Sequence, residues 1–574
     1  MPEPDRYGSP HDLSHFGRVA EPAMFPATAP VDPTTLEPMA VGVGVSVARN
    51  ALIVGSAFVA SRLLGVVREI VIAARFGTSG DYDAYVAAFR IPDLLFLIVM
   101  SGAFGSAFIP VFGGMFGRGD RDGAWRLAGV IITATLVVLA VASLVVLVLA
   151  GPLMRWIIAP GLTPEESQLA TDLTRLLLLS PLLLGLGIAF KGILEAQERF
   201  ALAAYAPVFY NLGIIFGAVV LVPAFGIYGL AFGVIAGALL HAGTQFIGLL
   251  RGGMRLLLSL NFATPGVHEV ARLMGPRILG QAAFQINFIV MTNFASRIGD
   301  NSVSALNYGY QIFTLPYGVL ALSLSTVIFP LMARQFADGQ LGEMKRTLSR
   351  ALAPLIFLSV PASVGLFCFR TSIVQVLFQV GSFDARSTEL VAEGLAYFAL
   401  GLLGFSVTEA VTRAFYAMHD TKTPVTIAVS AVALNIALSA LLAWRIGFAG
   451  LALALALSAT FEMVALAIVL RGRVGGLGGE LWASVGRTLV AALLFMPLAL
   501  WMGGQLADAT DPAGGRSLEL YLIFAYGLGV AGLAYLVAAY LAGAPELPAV
   551  ANRLPIVGGR INALIEPRYR RMHR

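Results

Sequence analysis

The residues of this chain with chemistry to do are polar side chains set deep in apolar stretches. Arg62, Arg68 and Glu69 fall in the run 51–76 and Asp83 and Arg90 at the start of and within the run 84–112, while Asn307 and Gln311 in the run 304–332 are milder amides of the kind that commonly hydrogen-bond between membrane helices. An arginine near the middle of a lipid-spanning helix costs roughly 2.5–3.5 kcal/mol on the insertion scale, so it faces a polar cavity or a partner unless it snorkels to the headgroups. Arg62 lies deepest. It shares a helix face with Glu69, seven residues on, while Arg68 occupies the neighbouring face, and a wide cavity would see all three. Arg75 closes the run and reads as a snorkelling residue. Asp83 either pairs with an arginine or is hydrated. Arg90 precedes Ile91-Pro92, where proline removes a backbone donor, and both cavity-facing and snorkelling readings stay open.

Other polar groups in the apolar runs are milder. Gln281 and Gln285 lie four apart on one face, with Asn287 and Asn293 nearby; amides of this kind commonly hydrogen-bond between membrane helices. Glu409, Glu462 and His241 are each a possible proton or ion site, or a packed polar group near an interface. No nucleophile stands beside a base, no glycine loop cradles phosphate and no carboxylates are paired at a catalytic spacing, so the chain does not read as an enzyme. The single Cys368 excludes an internal disulfide, and no Cys/His spacing suits a metal. Neither a metal nor a cofactor is expected.

The elements that must hold these residues are membrane helices. Hydrophobic residues make up 58% of the chain and charged ones 12%, and runs such as 127–150 and 170–194 are longer and more apolar than a soluble core helix requires. The basic residues collect in short loops, so the net charge of +5 reports topology and not a nucleic-acid partner. At ~20 residues per span the apolar runs give about fourteen spans. Loops after even-numbered spans carry Arg118, Arg121 and Arg126, then Arg251 and Arg255, then Lys345, Arg346 and Arg350, whereas the odd loops are poorer in basic residues and hold Asp81, Asp300 and Asp384. By the positive-inside rule the even loops, and with them both termini, are cytoplasmic.

The sequence also repeats itself. Phe108-Ile109-Pro110 with Gly119 returns as Ile328-Phe329-Pro330 with Gly339. Gly226-Ile227-Tyr228-Gly229-Leu230-Ala231 returns as Gly447-Phe448-Ala449-Gly450-Leu451-Ala452, and Leu250-Arg251-Gly252 as Leu470-Arg471-Gly472. A shared offset of about 220 residues marks a duplication. Its unit holds an even number of spans, so the copies are parallel, an architecture of alternating-access transporters whose site lies between the lobes. The expected fold is an all-α polytopic membrane protein with two parallel six-helix lobes and two extra C-terminal helices. The expected boundaries are a disordered cytoplasmic tail 1–45, lobes 46–255 and 256–475, additional helices 476–545 and a basic cytoplasmic tail 546–574.

Several motifs then point to a family. Ser61-Arg62-Leu63-Leu64-Gly65 through Arg68-Glu69, Arg75-Phe76-Gly77, Asp83-Ala84-Tyr85, Ala88-Phe89-Arg90-Ile91-Pro92-Asp93-Leu94-Leu95, Ala159-Pro160-Gly161 and Asp420-Thr421-Lys422-Thr423-Pro424 closely resemble the MurJ/MviN family, over residues 50–545 or so. The resemblance implies a flippase of the multidrug/oligosaccharidyl-lipid/polysaccharide exporter superfamily in the bacterial cytoplasmic membrane. Such a protein carries the undecaprenyl-diphosphate-linked peptidoglycan precursor lipid II to the outer leaflet, in contact with membrane lipids and possible cell-wall synthesis proteins as partners. Arg62, Arg68 and Asp83 fall on family positions associated with function, and with Glu69, Arg90 and Gln311 they make up the expected transport cavity. Fixed cations there would hold a diphosphate, and the two extra spans would make a groove for the lipid tail. The chain departs from the family pattern at Phe96 and Leu97, where a basic pair is usual, at Ser101, where an acid is usual, and at Gln311, where an arginine is usual. A cavity with fewer cations leaves two alternatives: an exporter of another lipid-linked glycan or amphiphile, and a non-transporting scaffold of envelope synthesis.

Overall fold

Each long apolar run folds as helix in the computed structural model, which describes residues 37–99, 108–510 and 518–548. Helix is what a lipid environment demands, because every backbone donor and acceptor must be satisfied within the segment. In chain order the helices are α1 (Glu37–Phe76), α2 (Gly80–Val99), α3 (Ile109–Gly117), α4 (Arg121–Leu153), α5 (Pro164–Leu177), α6 (Leu179–Ala196), α7 (Phe200–Phe216), α8 (Val222–Phe225), α9 (Ile227–Arg251), α10 (Val267–Ile298), α11 (Ser302–Tyr317), α12 (Ser323–Ala337), α13 (Leu341–Cys368), α14 (Arg370–Phe378), α15 (Ala385–Ala417), α16 (Lys422–Ile446), α17 (Ala449–Val474), α18 (Gly479–Ala509) and α19 (Leu518–Ala542). Among the described residues there is no strand, and 11 helical stretches are long and apolar enough to cross a membrane. The protein is a multi-pass helical membrane protein.

Some boundaries differ from the sequence reading. Of the expected span 84–112, residues 84–99 lie in α2 and 109–112 in α3, and 100–107, including Ser101, lie outside the described residues. The expected span 170–194 is broken at Leu178 between α5 and α6. Of the expected tails, 37–45 are helical and 1–36 and 549–574 lie outside the described residues. The stretch Met1–Leu52 is a unit of its own, and Ile53 onward forms a second unit that holds everything discussed below.

The repeat seen in the sequence has a counterpart in the backbone. Gly226 and Gly447 both adopt positive φ, at 57° and 66°, with ψ of −140° and −153°, a region open essentially to glycine. Each turns the chain into a helix whose next glycine lies flat on the helix before it. A Cβ on Gly229 would come within 2.4 Å of the Leu221 carbonyl carbon, and one on Gly450 within 2.6 Å of the Leu442 oxygen. Gly119 and Gly339, the turns before α4 and α13, likewise share φ of 85° and 71°.

A hydrophobic cluster fills the space where α1 and α2 meet α11, α14 and α15. Tyr82 stacks on the fully buried Tyr308 with ring centroids 5.0 Å apart, and Tyr308 meets Phe378 and Phe383 at 5.2 and 5.5 Å. This aromatic plug adds stacking to burial and forms a wall behind the polar residues of α1 and α2.

Candidate transport cavity

The polar side chains of α1, α2 and α11 line a string of three recesses. The first, of about 470 Å³, is lined by Arg62, Arg68, Glu69, Tyr210, Asn211 and Gln311 among others. The second, of about 200 Å³, lies against Arg68, Glu69, Tyr82, Arg90, Asp93 and Asn307, and again Gln311. The third, of about 250 Å³, takes Arg90, Asp93, Gln285, Thr292, Asn307 and Gln311. Gln311 belongs to all three and joins them. It sits one turn after Asn307 on α11, the i,i+4 spacing that puts both amides on one face.

Arg68 is the most firmly held cation. Its Nε and Nη2 donate to Glu69 Oε1 at 3.0 and 2.5 Å, and its Nη1 donates to Asn211 Oδ1 on α7 at 3.0 Å. Asn211 in turn donates to the Ser61 and Pro207 carbonyls at 3.2 and 3.1 Å, so α1 and α7 are tied through one amide. The Arg68–Glu69 pair joins sequence neighbours, whereas the helical wheel favours Arg62 with Glu69. The long guanidinium stem reaches around the helix to meet Glu69, and Asn211 fixes its far edge. Glu69 is buried and its Oε2 has no hydrogen-bond partner within the protein.

Arg62 is free by comparison. It is exposed and lies over the Phe58 ring at 5.3 Å, and it forms no ion pair among the described residues. Arg90 donates from Nε to Thr292 Oγ1 on α10 at 2.8 Å and lies 5.7 Å over the Phe288 ring, a buried contact that favours a cation. It does not snorkel. Asp93, three residues along α2, shares both of its recesses.

Asp83 stands apart from these recesses. It is buried and accepts the Ser304 backbone N–H at 2.8 Å, placing a carboxylate at the N-terminal turn of α11, where the helix dipole favours it. Among the described residues its partner is the backbone of a helix end and not an arginine. That bond belongs to a seam. Ser382 N donates to Ala74 O at 2.9 Å, Thr78 and Ser387 hydroxyls meet at 2.8 Å, Asn293 donates to Ile157 O at 2.6 Å, and Gly161 N donates to Ser296 Oγ at 3.2 Å. Gly77 and Gly381 bring the two segments of chain into close contact: a Cβ on either would lie 2.3 Å from a carbonyl oxygen of the other, Ser382 or Ala74.

Of the expected site residues, then, Arg62, Arg68, Glu69, Arg90 and Gln311 converge and Asp83 does not. Asp93, Asn211 and Thr292 were not singled out. Asp93 had a signal, being one turn from Arg90 on α2; Asn211 stands in a stretch that resembles the family, and Thr292 had no signal beyond being polar in an apolar run. Of the amides expected to hydrogen-bond between helices, Asn287 accepts from Asn435 across α10 and α16, and Asn293 donates to the Ile157 carbonyl. The side chain of Gln281 lies outside the described residues. Glu409 pairs with Arg413 at 2.6 Å and is a structural acid. Among the described residues no group of His, Cys, Asp or Glu could hold a metal ion.

Comparison with known proteins gives the same reading from another side. The family model described as "Lipid II flippase MurJ" matches residues 72–510. A probable lipid II flippase MurJ of Rhizobium tropici is 31% identical over 525 residues, 89% of this chain and 97% of that protein. The lipid II flippase MurJ of Burkholderia cenocepacia is 32% identical over 433 residues, 74% of this chain and 84% of its own. Among solved structures, a lipid II flippase MurJ in an inward closed conformation superposes with a TM-score of 0.69 at 21% identity, over 85% of this chain and 98% of that one. An inward-facing MATE transporter of the MOP superfamily follows the same fold at a TM-score of 0.62 and 15% identity, over 73% of this chain and 95% of that one. The chain belongs to the MurJ lipid II flippase family.

Proposed function

We propose that this member of the MurJ family moves lipid II, an undecaprenyl-diphosphate-linked peptidoglycan precursor, from the inner to the outer leaflet of the bacterial cytoplasmic membrane by alternating access. It is a transporter and not an enzyme. The observation that carries the reading is the string of recesses joined at Gln311, where three guanidiniums face two carboxylates. A diphosphate needs fixed cations in a site of low dielectric, and guanidinium forks match phosphate oxygens. Arg68 is held in place by Glu69 and Asn211, while Arg62 is unpaired and available to a ligand.

In this reading α1, α2 and α10 join the 11 apolar stretches to make a fourteen-span protein, with α1–α9 and α10–α17 as two parallel lobes and α18 and α19 as the additional pair. Both termini are cytoplasmic, and the seam of Asp83–Ser304, Thr78–Ser387 and Ala74–Ser382 closes the outer end of the path between the lobes. Asp83 therefore serves as a latch of the outer gate, whereas Arg62, Arg68, Glu69, Arg90 and Gln311 contact the substrate. Cell-wall synthesis proteins are its partners in the membrane.

The test is complementation. A bacterium depleted of its own flippase is given this chain, and growth and lipid II in the outer leaflet are followed. The reading expects rescue by the parent chain and loss of rescue with Arg62→Ala or Arg68→Ala at unchanged expression. A chain that is well expressed in the membrane and moves no lipid II would overturn it.

A further inference from the structure

The largest recess described lies away from the transport path. It occupies about 730 Å³ between α14 and the first half of α15, within the ~300–1,000 Å³ range of small-molecule sites. Its two walls differ in kind. The α14 side offers donors: Arg370, steadied by a 2.7 Å bond to the Phe367 carbonyl and by the Phe367 ring 5.3 Å away, and Gln375. Gln375 is only 8% exposed; its oxygen accepts from Thr510 at 2.9 Å, and among the described residues its amide nitrogen has no acceptor while the residue lines the recess. The α15 side offers acceptors: Glu389 and Glu393, four residues apart on one helix face.

Among the described residues no ion pair joins Arg370 to either glutamate, and neither glutamate makes a hydrogen bond. Two like charges at i,i+4 repel, and a guanidinium of the opposite sign is kept across the recess without neutralising them. Such an arrangement is satisfied by a ligand that carries both charges. Farther along α15 the lining turns apolar, through Tyr397 to the exposed Leu400, so the recess is amphiphilic along the axis of a helix apolar enough to span a membrane.

We propose that this recess binds the headgroup of a zwitterionic aminophospholipid, with its phosphate against Arg370 and Gln375 and its primary ammonium between Glu389 and Glu393. The acyl chains run past Tyr397 and Leu400. The carboxylates make the choice of lipid: a net anionic headgroup meets Arg370 but is repelled by both acids, which gives specificity by exclusion. The proposal rests on α15 spanning the membrane and is independent of what the central path carries.

Native mass spectrometry of the full chain in detergent, with equal amounts of phosphatidylethanolamine and phosphatidylglycerol, tests it. The expected result is retention of the ethanolamine lipid over the glycerol lipid by about fivefold or more, the equivalent of one favourable charge contact at an interface. Glu389→Gln with Glu393→Gln removes the preference, and Arg370→Gln lowers retention of the ethanolamine lipid. Both glutamates are exposed, so the double variant keeps the melting temperature of the parent. Equal retention of the two lipids by the parent, or an unchanged preference in the double variant, overturns the proposal. So does binding of acyl-free glycerophosphoethanolamine as tightly as the lipid, which would make the ligand a soluble zwitterion.

Discussion

Replacing Asp83 by alanine should open the seam that joins α1 and α2 to α11 and α15. The carboxylate is 3% exposed and its 2.8 Å bond to the Ser304 N–H is the one charge-assisted contact in that seam. A hydrogen bond to a charged group contributes about 1.5–3 kcal/mol, and its loss leaves the Ser304 N–H buried without an acceptor as long as the seam is closed. In the open form water reaches both groups, so nearly the whole difference falls on the closed state. The closed-to-open ratio should then drop roughly 10- to 100-fold. A single reporter cysteine reads this out. Cys368, the one native cysteine, is changed to serine, and Val303, 2% exposed beside Ser304, to cysteine. Labelling of that cysteine by a membrane-impermeant maleimide should accelerate by the same factor in Asp83→Ala, and by less in Asp83→Asn, which keeps an acceptor oxygen. A labelling rate within twofold of the parent, in a protein of unchanged melting temperature, would refute the assignment of Asp83 as a latch.

Arg68→Lys should fail to restore transport in complementation, because an ammonium cannot hold Glu69 and Asn211 with one planar fork; it should also lower the melting temperature, since breaking a buried pair costs about 3–5 kcal/mol. Gly381→Val should destabilise the closed seam: its φ of 62° and the Ala74 oxygen 2.3 Å from a Cβ both forbid a side chain, and the same maleimide assay would show faster labelling. Asp420 gives a pH dependence outside the spans. Burial alone would raise its pKa, but hydrogen bonds from Thr423 and the Arg473 guanidinium at 2.7 Å outweigh it and hold the carboxyl below its ordinary value. A folded pKa below the unfolded one of about 3.9 means that its stabilisation is complete above that value and is lost as pH falls through the folded one. Melting of Asp420→Asn should therefore fall below the parent at pH 6, and the difference should shrink as pH falls through the depressed folded pKa.

The helices were legible because their signals are local. Apolar length marks a span, and a glycine before an apolar run, as at Gly226 and Gly447, marks the same turn twice in one chain. Side-chain partnership was not legible, since it depends on which helix comes alongside. Arg68 finds Asn211 across 143 residues, and Asp83 finds Ser304 across 221. No spacing within α1 or α2 contains that information. Periodicity assigned Glu69 to Arg62, and the tertiary contact gave it to Arg68 because Asn211 braces the guanidinium from the other side. Asp93 was missed although it stands one turn from Arg90, because nothing within α2 shows that α10 and α11 line the same recess.

Placing Asp93 in the recesses changes the electrostatic argument about the substrate. The departures at Phe96 and Gln311 already make the cavity less cationic than the family pattern, and Asp93 lowers its charge again. What remains is unevenly distributed. Glu69 is taken up by Arg68, and Asp93 lies with Arg90 in the second and third recesses, so these two arginines are each faced by an acid. Arg62 forms no ion pair among the described residues and borders only the first recess, the largest of the three. A diphosphate would therefore be attracted first to Arg62, and then meets in Arg68 a guanidinium already fixed in orientation, with its charge shared with Glu69. Attraction and positioning fall to different residues. That division explains how a path with few cations can still select an anionic headgroup without holding it so tightly that it cannot leave.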